Sequence, residues 1–250
     1  MSPRSSIALI PARAGSKRVS HKNIRLLGGH PVLAYTIAAA VTSGVFDRVL
    51  VSTDSEEYAR IARHYGADVP FLRPAAFAGD LSPDIEWVAH TLGELAATGA
   101  SYDAFSILRP TSPFRQAATI QRAFAQFVAD SAADSLRAVE KCRQHPGKMW
   151  IVRGSRMTPL LPFSNGQQPW HSSQYQALPE VFVQNASLEI AWSLVVTEGG
   201  TIAGQVVAPF LTDGFEGFDI NRPDDWQAAE SLVASGEARL PLVSVAPYAG

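Results

Sequence analysis

The sequence predicts an α/β fold in which a doubly wound, mainly parallel sheet of the Rossmann-like type carries helices. Short apolar runs of strand length alternate with stretches of helical length through the first half of the chain, which is the pattern of such a sheet. Glycine and proline mark the ends of several of these segments. At 250 residues with 46% hydrophobic content, the chain can bury a substantial core, so we expect a single domain over residues 1–250.

Three apolar runs and four helical stretches make up the first half. We predict strands at residues 7–10, 48–52 and 104–108, and helices at residues 31–43, 55–65, 82–97 and 116–128. Gly44 stands directly after the first helix, where glycine commonly ends helices. Asp54 is predicted to cap the second helix, because Glu57 follows at capping-box spacing, and Gly66 is predicted to close it. Ser82 is predicted to cap the third.

The pattern changes in the second half. Short strand-like runs occur at residues 135–142, 149–152, 187–193 and 204–209, and residues 223–233 are predicted to form a closing helix. Residues 156–176 are polar and contain Pro159, Pro162 and Pro169, so we expect neither a helix nor a central strand there. A loop of this length is usually functional, disordered or an arm between subunits. We expect the tail, residues 241–250, to be peripheral.

Charge and cysteine content narrow the class of function. The net charge of -2 gives no general affinity for nucleic acid or an anionic membrane, so phosphate binding must come from a local cluster. Cys142 is the single cysteine, which excludes an internal disulfide and fits a reducing cytoplasm. The first residues contain no signal-peptide core, and the longest apolar stretch, residues 31–41, is too short to cross a bilayer. We therefore expect a soluble, cytoplasmic protein.

The most informative segment is a basic loop that directly follows the first predicted strand. Its four cationic side chains are Arg13, Lys17, Arg18 and Lys22. Asp47 is the first acidic residue of the chain, so no acid nearby in sequence neutralises them. Gly15 and Ser16 let backbone and hydroxyl come close to a ligand. Such a loop at the carboxyl end of a strand suits a polyphosphate, whereas a solvated basic turn is the alternative interpretation.

The loop has neither Walker spacing nor the Gly-x-Gly-x-x-Gly of dinucleotide binders. It resembles the opening of the acylneuraminate cytidylyltransferase family, which runs Ala-Arg-x-Gly-Ser-Lys and, a few residues later, Lys-Asn. The resemblance extends from about Ile7 to Leu232 and is strongest in the first half. It implies a sheet of the nucleotide-diphospho-sugar transferase type. It also implies transfer of CMP from CTP to the anomeric hydroxyl of an acidic, nonulosonic acid-type sugar, with release of pyrophosphate and dependence on Mg²⁺ or Mn²⁺.

The resemblance assigns roles within the basic loop. Arg13 and Lys22 match the family's phosphate-binding arginine and lysine. They are expected to be catalytic residues that hold the triphosphate, with Lys22 nearest the developing charge. Asn23 matches a nucleotide-binding asparagine, and Ser16 and Lys17 are expected to contact the nucleotide as well.

Two later segments resemble the family's nucleotide-binding motifs. Arg73 and Ser82, with Asp80 between them, match a run whose arginine and serine contact the nucleotide. The run Leu-Arg-Pro-Thr-Ser-Pro-Phe-Arg from Leu108 resembles Leu-Gln-Pro-Thr-Ser-Pro-Leu-Arg at the carboxyl edge of a strand, where open α/β sheets bind ligands. Arg109 replaces the glutamine. Because arginine cannot accept a hydrogen bond, it can donate to a base carbonyl or a phosphate but cannot fully copy an amide's reading of cytosine.

The resemblance also implies a catalytic lysine and a metal site. Lys148 matches the lysine of the family's His-Pro-x-Lys and is expected to reach the pyrophosphate or the sugar carboxylate. Asp219, a catalytic and metal-binding candidate, and Asn221 stand where the family's Asp-Ile-Asp holds magnesium. Asparagine can ligate a hard cation but brings no charge, so the phosphates must supply more negative charge, or Glu216 must assist. Asp224 and Asp225 are expected to complement the dipole of the closing helix.

The resemblance is weaker on the acceptor side. Gln176 and Asn185 are retained as substrate-binding candidates, whereas the arginines of the family's Arg-Arg-Gln-x-Leu-Pro are absent and Glu189 replaces the tyrosine of Asn-Gly-x-x-Tyr. Either the acceptor differs from common sialic acid, or another cation replaces the lost charge; the candidates are Arg153, Arg156 and His171. The family's members are homodimers, which implies that residues 140–195, approximately, contain a protruding dimerisation arm that crosses to the partner's active site.

Two alternatives to this activity stay open. The same fold can activate another acceptor, such as a Kdo-like sugar or a phosphonate. The chain can also be a nucleotide-binding module that has lost catalysis, which Arg109, Asn221 and the missing arginines favour. The retained residues oppose loss of catalysis; they are Arg13, Lys22, Arg73, Ser82, Lys148 and Asp219.

Overall fold

The computed structural model describes residues 5–249. Residues 1–4, which belong to the amino-terminal segment considered above, and Gly250 of the tail lie outside the described residues. The strands are β1 Ser6–Pro11, β2 Leu26–Leu27, β3 His30–Pro31, β4 Arg48–Ser52, β5 Ala104–Ile107, β6 Ser135–Lys141, β7 Trp150–Arg153, β8 Arg156–Pro159, β9 Ser164–Asn165, β10 Gln168–Pro169, β11 Phe182–Trp192 and β12 Val207–Leu211. The α-helices are α1 Val32–Ser43, α2 Glu56–His64, α3 Asp84–Ala97, α4 Ala117–Ala129, α5 Leu194–Thr197 and α6 Pro223–Ser235.

A six-stranded sheet forms the centre of the fold, with the strand order β12-β6-β11-β5-β1-β4. Strand β1 pairs in parallel with both β4 and β5, and β11 pairs with β5 in the antiparallel direction. The sheet is mainly parallel, so the predicted α/β class is confirmed.

Both faces of β1 are buried, which explains why its sequence is a continuous apolar run. Ala8 and Ile10 belong to the core that contains residues of α1, α2 and α4, whereas Ile7 and Leu9 belong to the core that contains residues of α3 and α5. Successive side chains of a strand point to opposite faces, so the helices cover the sheet on both sides. Complete burial of an aliphatic side chain of this size contributes about 1.5–3 kcal/mol.

The start of α2 differs from the prediction by one residue. Ser55 is the N-cap, and its Oγ accepts the N–H of Tyr58 at 3.4 Å. Asp54, the predicted cap, instead accepts the N–H of Ala14 at 2.8 Å. Both residue types cap helices well, and the contact with the basic loop determines which of the two is used here. The prediction for Asp54 was therefore wrong.

The start of α3 also differs, whereas the end of α1 agrees with the prediction. Helix α3 has Pro83 as its N-cap and no side-chain cap, and the Oγ of Ser82 donates to the carbonyl of Ala76 at 3.1 Å. Ser82 is therefore not the cap, because its hydroxyl bonds to the preceding turn. Helix α1 ends at Ser43, and Gly44 follows in the left-handed conformation with φ of 64°, which glycine adopts without steric cost.

The chain divides into two compact units, one of Met1–Ala138 with Asn185–Gly250 and one of Val139–Gln184. In the second unit, β7 pairs with β8 and β9 pairs with β10 as short antiparallel hairpins. Residues 156–176 thus contain short strands and single 3₁₀ turns but neither an α-helix nor a strand of the central sheet. The prediction for this stretch is confirmed.

The carboxyl-terminal tail packs on the first unit. His64 Nε2 lies 2.8 Å from the carbonyl oxygen of Ala246, and the N–H of Tyr248 donates to the hydroxyl of Tyr65 at 3.1 Å. Most residues of the tail are exposed, which agrees with the prediction of a peripheral tail. Its contacts with His64 and Tyr65 were not predicted, because these partners lie about 180 residues earlier in the chain and no local pattern reveals them. Among residues 5–249, none of the helices has both the length and the apolar character needed to span a membrane.

Candidate active site

A cavity of about 410 Å³ opens where β1 and β5 end. Because β1, β4 and β5 are parallel, the loops that follow them meet at one edge of the sheet, where such sheets bind ligands. Ten residues of the predicted site line this cavity: Arg13, Ser16, Lys17, Lys22, Asn23, Arg73, Ser82, Arg109, Asp219 and Asn221. The structure therefore brings together side chains that are spread over most of the chain.

Hydrogen bonds to the end of β4 fix the backbone of the basic loop. The N–H of Ala12 donates to the carbonyl of Ser52 at 3.0 Å, and the N–H of Ala14 donates to Asp54 Oδ1 at 2.8 Å. Asn23 is 6% exposed, and its Nδ2 donates to the carbonyl of Arg13 at 3.2 Å. Asn23 thus holds the loop as well as lining the cavity.

Two cations of the loop converge on one carboxylate. Asp80 accepts from Arg13 Nη2 at 2.8 Å through Oδ1 and from Lys17 Nζ at 2.5 Å through Oδ2. The hydrogen bonds from Lys17 and Arg13 lower the pKa of Asp80. The carboxylate marks a position that holds an anion between two cations. Because exposed ion pairs are weak, a multiply charged phosphate can compete for the same cations.

Lys22 connects the loop to the opposite wall of the cavity. Its Nζ donates to the carbonyl of Ile220 at 2.7 Å. Burial lowers the pKa of Lys22, and the nearby charge of Asp219 opposes this shift. A partly desolvated ammonium interacts more strongly with a phosphate than an exposed one does, so this position suits charge stabilisation.

Arg73 is a buried cation at the cavity. It is 6% exposed, and it donates to Ser52 through Nε at 3.0 Å and through Nη2 at 2.9 Å. Its guanidinium lies 4.7 Å from the ring centroid of Trp87. Burial lowers the pKa of Arg73 to about 10, so the side chain is still charged at neutral pH.

Asp219 and Asn221 face each other in the cavity. Asn221 Nδ2 donates to Asp219 Oδ2, and the backbone N–H of Asn221 donates to Asp225 at 2.8 Å. Asp219 Oδ1 is buried and has no hydrogen-bond partner among residues 5–249. Asp225 lies in the first turn of α6 and bonds to the preceding backbone, as expected for a helix-start acid.

Acidic residues at this site are few. Among residues 5–249, no group of three or more His, Cys, Asp and Glu side chains is arranged to hold a metal ion. Glu216, which was considered as an additional acid, does not line the cavity. One of its carboxylate oxygens accepts from Thr119 at 2.6 Å and the other accepts from Arg122 at 2.9 Å. Both oxygens are therefore bonded to side chains that do not line the cavity.

Arg109 belongs to a network of four charged side chains. Its Nη2 donates to Asp84 Oδ2 at 2.6 Å and to Glu189 Oε1 at 2.8 Å. Arg137 Nη1 forms an ion pair with Glu189 Oε2, and Trp87 Nε1 donates to Asp84 at 2.7 Å. Burial acts to raise the pKa of Asp84, but the hydrogen bond and charge of Arg109 outweigh it, and the pKa is lowered.

The family model described as cytidylyltransferase matches residues 7–145, which is more than half of the chain. The chain belongs to the cytidylyltransferase family. This match confirms the family expected from the basic loop. It also confirms that the protein is a nucleotidyltransferase, because cytidylyltransferases are nucleotidyltransferases.

Relatives of this cytidylyltransferase extend beyond the matched segment. A CMP-N,N'-diacetyllegionaminic acid synthase of Legionella pneumophila is 33% identical over 241 residues, which is 94% of this chain and 98% of the relative. An N-acylneuraminate cytidylyltransferase of Escherichia coli O18:K1:H7 is 46% identical over 114 residues, which is 46% of this chain and 26% of the relative. Among solved structures, a CMP-2-keto-3-deoxy-manno-octonic acid synthetase complexed with CTP has a TM-score of 0.69 at 12% identity, covering 93% of this chain and 99% of that one. The last comparison supports the fold alone.

Of the other three predicted site residues of the cytidylyltransferase, Asn185 belongs to the first unit and two belong to the second. Asn185 bonds to Thr212 at 2.9 Å and to the N–H of Ser187 at 3.2 Å, and it does not line the cavity. Lys148 and Gln176 belong to the second unit. There Lys148 Nζ donates to the carbonyls of His171, at 3.1 Å, and Ser173, whereas Gln176 is exposed in a 3₁₀ turn. The roles of these three residues stay predictions.

Sequence reasoning missed four residues that shape the site. Asp54 holds the basic loop, and Asp84, Glu189 and Arg137 form the network around Arg109. Glu189 carried a signal, since it replaces a tyrosine of the family pattern at the same time as Arg109 replaces a glutamine. The other three gave none, because their partners lie far away in sequence.

Proposed function

We propose that this cytidylyltransferase transfers CMP from CTP to the anomeric hydroxyl of an acidic nonulosonic acid-type sugar, with release of pyrophosphate. The observation that carries the proposal is similarity over almost the whole chain to a CMP-N,N'-diacetyllegionaminic acid synthase. The cavity supports it, because its cations come from several separate segments.

In the proposed reaction the sugar's anomeric oxygen attacks the α-phosphorus of CTP. A new oxygen–phosphorus bond forms as the hydroxyl loses its proton to solvent, the bond from the α-phosphorus to the bridging oxygen breaks, and pyrophosphate leaves with that oxygen. The protein's contribution to such chemistry is mainly positioning and electrostatic stabilisation. Arg13, Lys17 and Lys22 hold the triphosphate, and Lys22 stabilises negative charge as it develops. Lys148 is proposed to bind the pyrophosphate or the sugar's carboxylate.

We propose that Mg²⁺ (or Mn²⁺) binds at Asp219 with Asn221. The buried, unpartnered Oδ1 of Asp219 fits a cation ligand, and an asparagine oxygen is a suitable ligand for a hard cation. When bound, the ion neutralises phosphate charge. The remaining ligands must come from phosphate oxygens and water, because a magnesium ion held by one or two protein side chains usually completes its shell in this way.

Replacement of Asn221 by aspartate tests this metal site. In Asn221→Asp a second carboxylate faces Asp219, and repulsion between like charges lowers stability unless a cation is present. We expect a lower Tm than wild type without divalent ions and a larger rise in Tm on addition of MgCl₂. Asp68→Asn, a change at an exposed ion pair with Arg48, is the control. An identical response to Mg²⁺ in wild type and Asn221→Asp would argue against metal binding here.

The acceptor distinguishes the proposed function from its alternatives. Pyrophosphate release is measured with CTP, MgCl₂ and a panel that contains sialic, legionaminic and pseudaminic acids, Kdo and a phosphonate. We expect turnover with a nonulosonic acid. Turnover with Kdo or the phosphonate alone would replace the proposed acceptor. Binding of CTP without turnover of any acceptor would identify a nucleotide-binding module.

We also propose that the enzyme is a homodimer that works in the cytoplasm. The β7–β8 hairpin exposes large apolar side chains, namely Trp150 (37%), Ile151 (40%), Val152 (68%) and Met157 (57%). Adjacent exposed apolar side chains are typical of a surface that a partner covers, and a second copy of this chain is the proposed partner. The single free cysteine, Cys142, is consistent with a reducing compartment.

A further inference from the structure

We infer that Arg109 and Glu189 form one substrate-reading unit. Glu189, together with Asp84, orients Arg109 so that its remaining N–H groups donate to an uncharged carbonyl or hydroxyl oxygen of a bound substrate. The inference rests on the proposed function, since it concerns the substrates of the same cavity. It adds a positioning residue, Glu189, and the chemical nature of the group that Arg109 recognises.

Arg109 lines the cavity and keeps N–H donors that have no partner within the described part of the chain. Nη2 donates to both Asp84 and Glu189, which uses its two protons, and Nη1 lies 3.5 Å from Asp84 Oδ1. A guanidinium has five N–H donors, so Nε and part of Nη1 are available. Arg109 and Asp84 line the cavity, whereas Glu189 does not.

The two residues depend on each other physically. They are 80 residues apart, and each replaces a different residue of the family pattern, yet their side chains are in direct contact. Glu189 is 4% exposed, and a buried carboxylate is costly without cationic partners. Glutamine at position 109 would remove one of the two cations that contact Glu189. The two replacements are therefore best understood as one change, in which two uncharged residues of the family pattern give way to the ion pair of Arg109 and Glu189.

Charge determines what Arg109 can recognise. Two cations, Arg109 and Arg137, face two carboxylates, Asp84 and Glu189, so the formal charge of the network is zero. A substrate carboxylate bound to Arg109 would add a third anion to the two of this network. It would lie close to Asp84, and neighbouring like charges repel each other. An uncharged oxygen meets no such repulsion. Two parts of the substrates supply it: the carbonyl of cytosine, and the hydroxyl and acylamino groups of the sugar.

A double-mutant cycle tests the inference with Arg109→Gln, Glu189→Gln and the double variant. Arg48→Gln is the matched control, because Arg48 pairs with Asp68 away from the cavity. Calorimetry gives the Kd for CTP, and kinetics give kcat and KM for acceptors with and without an acylamino group. We expect each single variant to lose about tenfold in one of these affinities, and the double variant to lose about tenfold less than the product of the single losses.

The two measurements, CTP affinity and acceptor kinetics, identify which substrate supplies the oxygen that Arg109 contacts. A weaker Kd for CTP assigns it to cytosine, and a raised acceptor KM at unchanged kcat and CTP affinity assigns it to the sugar; either result supports the inference. Losses that multiply in the double variant, or wild-type values in both single variants, would overturn it. If Arg109→Gln does not fold, Arg109→Lys is used, since lysine keeps the charge without the planar fork. Wild type that turns over no acidic sugar refutes the proposed function separately, and the cycle is then decided by CTP affinity.

Discussion

Lys22 combines properties that are rarely found together in a structural lysine. It is partly buried, its pKa is lowered by that burial, and its ammonium bonds to the carbonyl of Ile220 next to Asp219. Burial of the charged form costs stability. A buried ammonium that lies beside other cations is best explained by a negatively charged ligand that binds there.

Replacement of Lys22 by methionine separates function from stability. We expect Lys22→Met to lower kcat/KM for CTP by about 10²-fold, because it removes a cation next to the developing charge. We expect its Tm to stay close to that of wild type, because the saved cost of desolvating the ammonium offsets the lost hydrogen bond to the carbonyl of Ile220. Steady-state kinetics and thermal unfolding measure both. Lys141→Met, at an exposed lysine, is the control, and wild-type activity in Lys22→Met would contradict the assigned role.

At the residue scale, the sequence identified the cavity better than it identified individual contacts. Arg13, Lys22 and Arg73 were predictable because cations and glycine after an apolar strand carry a local pattern. The contacts of Asn23 and Arg109 were not predictable, since a hydrogen bond to a carbonyl or a carboxylate depends on how distant segments pack.

Among the elements, the end of β4 has the largest influence on the site. Ser52 accepts from the basic loop and from Arg73, and Asp54 accepts from Ala14. The last residue of the strand and Asp54 just beyond it thus fix both a phosphate-binding loop and a buried arginine.

Substitutions of Asp54 test this arrangement. Asp54→Ala leaves the N–H of Ala14 without its acceptor, and a hydrogen bond to a charged group contributes about 1.5–3 kcal/mol. We expect kcat/KM for CTP to fall at least about tenfold in Asp54→Ala and much less in Asp54→Asn, which keeps an acceptor oxygen. Glu57→Ala, at the residue predicted to share the cap, is the control. Equal kinetics for Asp54→Ala and wild type would remove the positioning role.

Strands and helices with strong periodicity were predicted well, and their ends were predicted less well. The runs that became β1, β4 and β5 are apolar on both faces, so burial by helices on both sides is the arrangement that satisfies them. The cap of α2 was misassigned because Asp54 and Ser55 are both good caps, and only tertiary contact selects between them. The contacts of the tail were not predicted, because its partners, His64 and Tyr65, are distant in sequence.

At the scale of the whole molecule, the second unit is the part that sequence patterns describe least. Its short hairpins lie between residues 139 and 184 and expose apolar side chains. Sedimentation velocity is expected to give a dimer for the wild type. Val152→Lys places a charge in the exposed apolar surface and is expected to shift the distribution towards monomer, whereas Lys141→Met, at the exposed lysine already used as a control, leaves it unchanged. A monomeric wild type at micromolar concentration would contradict the proposed homodimer.

The central claim is that the cavity joins the α-phosphorus of CTP to the anomeric oxygen of an acidic sugar. Phosphorus NMR of CTP, MgCl₂ and N,N'-diacetyllegionaminic acid with the enzyme follows that bond directly. We predict that the three CTP resonances decrease while one phosphodiester resonance and pyrophosphate increase in equal amounts. Release of orthophosphate with CDP, or an unchanged CTP spectrum with every nonulosonic acid, would contradict the account.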